Sequence, residues 1–522
     1  MWTTKRGVVA AVALGAFALA HGVRPSIARA ADPTQKELVE RLRKLEENQA
    51  KLYELMKEKD ARIDALQAEV ERGKGHIPAG AETQKGEALG DGMPAAAAPA
   101  KEQGALSTVQ AAPAPSAPGE EVEEGPFGSY KQGRGFGFAR TEWGEVRFGI
   151  YTYVRYLNQK MLEDHYTNGL GQRVQIDQRE DLELNKVKLE FRGWVIDPRF
   201  NYVLYSWTNN AAQGLGAQVV LGGNLNWVFG PALTVGGGIL SLPTTRSTSG
   251  NFPYWLTVDH RTIADEFFRG SYAQGFYGYG RKGDFGYYAM LANNLSTLGV
   301  DAGQMDADFT TVSAALWWMP TTGEYGPRSG FGDYEWHEDV ATRLGAHFTF
   351  SPEDRQSQPD SEDIDNTQIR LSNGTIIFAP NALGPDTRVN SVKYYMTDVD
   401  AGVKWRGMEL SGEYYVRWLQ DFRGDGPFEV NRMFDHGLQA MASAMVIPKT
   451  VQVYSMGSYI FGDFGDSWEA TAGLNWWIFR RRELRVNLEY LYDHQSPIGY
   501  TAVPQQVGGT GSVLTANLEM SF

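Results

Sequence analysis

The chain has no cysteine among its 522 residues, so disulfides, thiolate metal sites and cysteine nucleophiles are excluded. Positive charge is in deficit. Lys and Arg number 49 against 63 Asp and Glu, a formal net charge of -14, and a nucleic-acid partner is not expected from that balance. Histidine is scarce, and His165, His260, His337, His347, His436 and His494 show no ligand spacing, so no metal or other cofactor is expected. Past the first twenty residues no apolar run reaches the roughly 18 residues that a spanning helix needs. Mean hydropathy is -0.38, which looks soluble. A chain whose strands put one face in lipid and the other in a polar lumen has the same average. What is abundant is glycine, at 59, with 14 Trp, 25 Tyr and 25 Phe.

Residues 1–30 read as a secretory signal. Lys5 and Arg6 form the basic start, Gly7 to Ala20 the apolar stretch, and Ala28-Arg29-Ala30 the cleavage site. In residues 31–72 Leu38, Leu42, Leu45, Gln49, Leu52, Met56, Lys59, Ile63, Leu66 and Val70 alternate in steps of four and three among charged neighbours. That spacing predicts a coiled coil, which needs a partner to cover its stripe. Residues 73–125 are rich in Ala, Pro and Gly and are expected to be a flexible linker.

From residue 126 to 522 alternating segments of about ten residues recur between turn-rich gaps. Val146, Phe148, Ile150 and Val154 share one face, with Arg147, Tyr151, Tyr153 and Arg155 on the other. Leu484, Val486, Leu488 and Tyr490 oppose Arg485, Asn487 and Glu489. Strands are expected near Glu145, Asp181, Arg199, Ala217, Ala232, Gly270, Asp284, Asp308, Glu338, Lys393, Met408, Gly437, Thr450, Ser467, Glu483 and Ser512. The predicted fold is therefore all-β: a transmembrane antiparallel barrel of about sixteen strands, preceded by a short helical coiled coil. Short links alternate with long ones, as between a periplasmic and an outer face. The link from Pro320 to His337 breaks this rule, being long where a short turn belongs. Tyr156, Trp194, Trp227, Trp317, Trp318, Trp405 and Trp418 lie near strand ends, as interfacial girdles require. The last strand alternates through Leu514, Ala516, Leu518, Met520 and Phe522. It resembles the closing strand of bacterial outer-membrane barrels, which the barrel-assembly machinery reads.

A barrel of this size encloses an aqueous channel, and what narrows it sets its function. The candidate is the long gap from Ser241 to Arg269, where Arg246, Arg261 and Arg269 stand against Asp259, Asp265 and Glu266. Opposed charges in a narrow, low-dielectric passage filter ions and orient polar solutes. Gly236 to Leu242 with Pro243 and the Ser/Thr-rich run after it, then Phe267-Phe268-Arg269-Gly270, Gly275-Phe276-Tyr277-Gly278 and Gly283-Asp284-Phe285-Gly286-Tyr287, resemble the phosphate-selective porin O and P family. So does the order of signal, coiled coil, linker and barrel. The resemblance implies a trimeric porin of the Gram-negative outer membrane, in contact with its lipid. Small ions and polar solutes would diffuse through it passively. It also implies a lumen wall lined by arginine and lysine, for which Arg147, Arg155, Lys186, Lys188, Arg192, Arg417 and Arg485 stand on the matching face. Glu190, Asp398, Asp400, Glu409, Glu413, Glu469 and Glu489 share that face, so an anion or phosphate preference is left open.

The coiled coil is expected in the periplasm, because the linker reaches the first strand from the side of the short turns. The alternative is a structural tether, with the barrel as anchor and the coiled coil reaching toward the cell wall. Gly278-Tyr-Gly280-Arg-Lys-Gly283 matches a nucleotide-loop pattern, but an alternating strand follows where that site needs a helix. No nucleophile elbow is visible, and enzymatic activity is not expected.

Overall fold

The computed structural model describes residues 123–125, 128–168, 171–209, 218–296, 309–355, 368–500 and 503–522. The signal segment, the coiled coil and all but the last three residues of the 73–125 linker lie outside the described residues. Those three, Glu123–Gly125, form a short strand. It pairs with Gly128–Lys131, which pairs in turn with Gly135–Thr141.

Sixteen longer strands follow among the described residues. They are β1 Gly144–Leu162, β2 Glu180–Val195, β3 Asp197–Asn209, β4 Gln218–Gly230, β5 Leu233–Ser241 and β6 Tyr272–Lys282. Next come β7 Phe285–Ala292, β8 Thr311–Trp318, β9 Ala341–Asp354, β10 Arg388–Trp405 and β11 Met408–Asp425. The last are β12 Arg432–Ile447, β13 Val451–Phe461, β14 Ser467–Trp477, β15 Leu484–His494 and β16 Gly511–Ser521. Each is antiparallel to the next, and β16 pairs back onto β1 from Ser521↔Tyr151 to Gly511↔Leu162. The sixteen strands thus form a closed all-β barrel. Strand starts follow the alternation. The widest offsets are at β10 and β12, which begin at Arg388 and Arg432, five residues before the expected Lys393 and Gly437. There apolar Val389, Val392 and Met433 face inward among polar neighbours and the β10 register shifts twice, so the outward-apolar period of two is hidden.

The burial pattern is the reverse of a soluble sheet. Leu182, Leu221, Phe276 and Leu410 face outward at 76, 73, 67 and 60 % exposure, while Arg155, Lys186, Asp398 and Glu413 are buried inside. A continuous apolar belt around a charged interior suits lipid and excludes a soluble sandwich. In β2 the alternation slips. Tyr153 pairs with Lys186 and Val154 with Leu184, which leaves Asn185 as a bulge. Asn185 and Lys186 are both buried as a result.

Trp318 and Trp405 are exposed at strand ends, as a girdle requires, whereas Tyr156 is exposed well inside β1. Trp194 and Trp317 are not girdle residues. They fall on the inward parity of β2 and β8 and are buried. The exceptional link is confirmed as long: residues 319–340 join β8 to β9 at the short-turn end and fold back inside the barrel.

Candidate functional site

Between β5 and β6 the chain turns inward as a loop, L3, spanning residues 242–271. Its serines and threonines satisfy its backbone from within. Thr248 Oγ1 and Ser249 Oγ donate to the Thr245 carbonyl at 3.0 and 2.9 Å, and Asn251 Nδ2 donates to the Arg246 carbonyl at 2.7 Å. A short helix, α1 (Ile263–Phe268), follows. Thr262 caps it by accepting from Asp265 N at 3.3 Å, and Glu469 of β14 accepts from Ile263 N at 3.0 Å. Phe268 stacks on Tyr415 of β11 at 5.3 Å between ring centroids. L3 is therefore bonded to the wall at both ends and nearly all of it is buried.

The six sequence-predicted charges of L3 fall into three groups. Arg261 and Arg269 both grip Glu266, at 3.0 and 2.6 Å. Burial alone would raise the Glu266 carboxyl, but the two guanidiniums outweigh it and hold its pKa at about 2. Asp265, next in sequence, is raised by burial and accepts from Thr245 Oγ1 at 3.0 Å. Asp259 crosses to the β1–β2 wall, where Lys186 Nζ lies at 2.7 Å and Tyr153 Oη donates at 2.9 Å. Arg246 faces the opposite wall, pairing with Glu409 at 3.0 Å while its backbone N–H donates to Glu413 at 2.8 Å.

The wall residues divide likewise. Arg155 and Arg485 hold L3 by its carbonyls, donating to Val258 at 2.7 Å and to Trp255 at 2.8 Å. Arg417 pairs with Asp435 at 2.6 Å and lies 4.0 Å from the Phe267 ring centroid. Arg147 and Arg192 do not reach L3. They donate to the carbonyls of Gly135 and Gly133, at 2.8 and 3.0 Å, and fasten the segment before β1. Lys188 lies 2.9 Å from Glu190.

The residues missed from the sequence belong to the inward turn 319–340, which meets L3 from the other end. Phe331 N donates to the Tyr254 carbonyl at 2.8 Å, and Arg328 Nη1 to the Phe252 carbonyl at 2.7 Å. Lys404 of β10 donates to the carbonyls of Tyr325 and Gly330 at 3.0 and 2.7 Å, and Tyr325 Oη to Glu409 at 3.3 Å. The one sequence signal was the length of the link. Two cavities follow this contact, and a third lies beside L3 with no lining residue from the inward turn. One of about 50 Å3 is lined by Lys188, Glu190, Arg192, Tyr254 and Arg328 among others. The second, of about 10 Å3, lies by Arg246, Arg328 and Arg343, and the third, of about 30 Å3, is lined by Arg482 and Arg485 with Glu483 and Glu519.

No protein-family model matches the chain, and no curated protein is significantly similar to it. Among solved structures it is similar to an anion-selective porin from Comamonas acidovorans, at 13 % identity and TM-score 0.44, covering 73 % of this chain and 100 % of that one. It is also similar to the outer membrane channel DcaP of Acinetobacter baumannii, at 8 % identity and TM-score 0.46, covering 74 % and 99 %. A third is OmpT, an outer membrane protein of Vibrio cholerae, at 10 % identity and TM-score 0.45, covering 74 % and 99 %.

Proposed function

We propose that this chain is an outer-membrane porin through which small ions and polar solutes diffuse passively. The observation that carries the reading is the inverted burial of a closed sixteen-stranded barrel whose charged lumen is narrowed by L3. In this reading the short turns and the inward turn lie on the periplasmic side and the long loops outside. Arg246, Asp259, Arg261, Asp265, Glu266 and Arg269 form the constriction, and the phosphate-selective O and P family is the resemblance that fits best. A trimer follows from that resemblance.

We further infer an anion preference. Two cavities along the contact of L3 with the inward turn are lined by guanidinium groups, and around the one of about 50 Å3 the cations Lys188, Arg192 and Arg328 outnumber the carboxylate of Glu190. A space of that size holds a few waters, which favours small ions over large solutes. The test is single-channel conductance and reversal potential in a planar bilayer across a potassium chloride gradient, with phosphate then added. Stable ohmic steps with a reversal potential of anion sign are expected, and Lys188→Gln with Arg328→Gln should reduce that potential. Cation selectivity in the native protein would remove the anion reading. Folded, heat-modifiable protein that does not conduct would remove the porin.

A further inference from the structure

At the long-loop end of the lumen, Glu469 on β14 and Asp493 on β15 are direct cross-strand neighbours. Both are buried, at 3 and 0 % exposure. Glu469 is engaged. Its Oε1 accepts from Ile263 N at the start of α1 and from Ser458 Oγ, and its Oε2 accepts from Gln505 Nε2 at 3.2 Å. Asp493 differs: neither carboxylate oxygen meets a hydrogen-bond donor among the described residues. The carbonyl oxygen of Gln505 and the hydroxyl of Thr471 are unpartnered too, in side chains only 1 and 3 % exposed. The Gln505 amide is anchored on Glu469 through its nitrogen, so its oxygen, on the same carbon, is held close to the Glu469 carboxylate. Thr471 stands two residues from Glu469 on the same face of β14. Among the described residues no Lys, Arg or His forms an ion pair with Glu469 or Asp493, and the neighbouring His260 is spent on Glu489 at 2.8 Å.

Two adjacent carboxylates and two further oxygen acceptors, out of water and without a counter-charge, are costly unless something positive joins them. We propose that this corner binds a hard divalent cation of the calcium class through Asp493, Glu469 and the Gln505 carbonyl, with the Thr471 hydroxyl beside them. The donors are all oxygen, which disfavours metals that prefer sulfur or imidazole. Calcium takes 6–8 oxygen ligands in flexible geometry and accepts carboxylate, amide and water together, whereas magnesium demands a stricter octahedron. The ion's two charges match the two carboxylates. Because Glu469 also holds Ile263 N, an ion here fastens the last long loop to the start of α1 and cancels two negative charges in the lumen. This goes beyond the porin reading, because binding is measured without conduction.

The test uses the full-length chain, refolded in detergent free of lipopolysaccharide, stripped with chelator and titrated with calcium chloride by calorimetry at pH 7. One saturable site per chain is expected, with a rise in the temperature at which the folded band is lost on gels. Asp493→Asn should weaken binding about tenfold or more and abolish that rise. Asp339→Asn, at an exposed acid outside the site, should leave both unchanged. If Asp493→Asn does not fold, Gln505→Ala removes one ligand from a loop instead of a strand, and unaltered affinity there would overturn the assignment. So would the absence of saturable binding to native protein that folds, the carboxyl pair then sharing a proton only.

Discussion

The side chain of His337 bridges two acids of the inward turn, with Nδ1 at 2.5 Å from Asp333 Oδ1 and Nε2 at 2.7 Å from Glu324 Oε1. Burial would lower the pKa of this imidazole, but the hydrogen bonds to Asp333 and Glu324 and their charges outweigh it and lift it from 6.5 to about 9. Asp333 also accepts from Gly407 N at 2.7 Å, so the clamp fixes the turn to the β10–β11 link. A folded-state pKa above the unfolded one means that the stabilisation is complete below the unfolded value. It is lost as pH rises through about 9. Hydrogen exchange across 319–340, corrected for intrinsic rates, should show protection at pH 7 that falls as pH passes about 9. In His337→Gln the protection should be weak throughout, with no step. Arg246 makes a different prediction. Arg246 and Glu409 are both buried, so Arg246→Met strands a carboxylate and should destabilise the protein by about 3–5 kcal/mol, read from unfolding in denaturant. Glu409→Gln in the same chain should restore part of that. The L3 arginines were legible because their loop was long and charged. Arg343 lay open to the parity argument used for Arg147, on the inward face of β9. Asp493 did not, because it precedes His-Gln-Ser-Pro and reads as a turn residue.

L3 is held by the wall on several sides, from β1 and β2 to β11, β14 and β15, and the inward turn by L3 and by β10 and β11, so the passage is set by how the two fit. Gly402 on β10 makes the fit possible. A Cβ there would sit 2.2 Å from the Tyr325 hydroxyl, closer than any real contact. Gly402→Val should therefore push the inward turn off the wall while leaving the ladder intact. Larger single-channel steps and a weaker ion preference are expected, with normal heat-modifiability as the check on folding. Replacing residues 320–338 by a two-residue turn should have the same sign and a greater size. An unchanged conductance in both would show that this turn does not narrow the passage. The sixteen strands were legible because each strand inside the lipid must alternate. L3 was legible through its length and a family pattern. The inward turn, stabilised by backbone carbonyls, Lys404 and Arg328, has no period and no motif, so only its misplaced length betrayed it.

Closure is a property of the whole barrel, and the segment ahead of it completes the seam. β16 pairs with β1 only from Tyr151 onward, and at Ile150 and Phe522 the two strands exchange backbone hydrogen bonds at 2.7 and 2.9 Å. Below that point the same edge of β1 is taken by Gly135–Thr141, from Phe136↔Phe148 to Thr141↔Gly144. Arg147 and Arg192 clamp this segment from inside, and Tyr130 Oη donates to Glu483 at 2.6 Å from the other side of the seam. The stagger of a tilted barrel leaves such an overhang at its seam, and an unpaired edge invites association with other chains. Removing residues 123–141 should therefore leave a barrel that still closes and migrates as a folded band. Its seam loses several ladder bonds, each worth about 0.5–1.5 kcal/mol, so the band should unfold at a lower temperature and the protein should aggregate more readily. A truncated chain with the native unfolding temperature would show that the segment adds nothing to the stability of the seam and reduce it to a partner of Arg147 and Arg192.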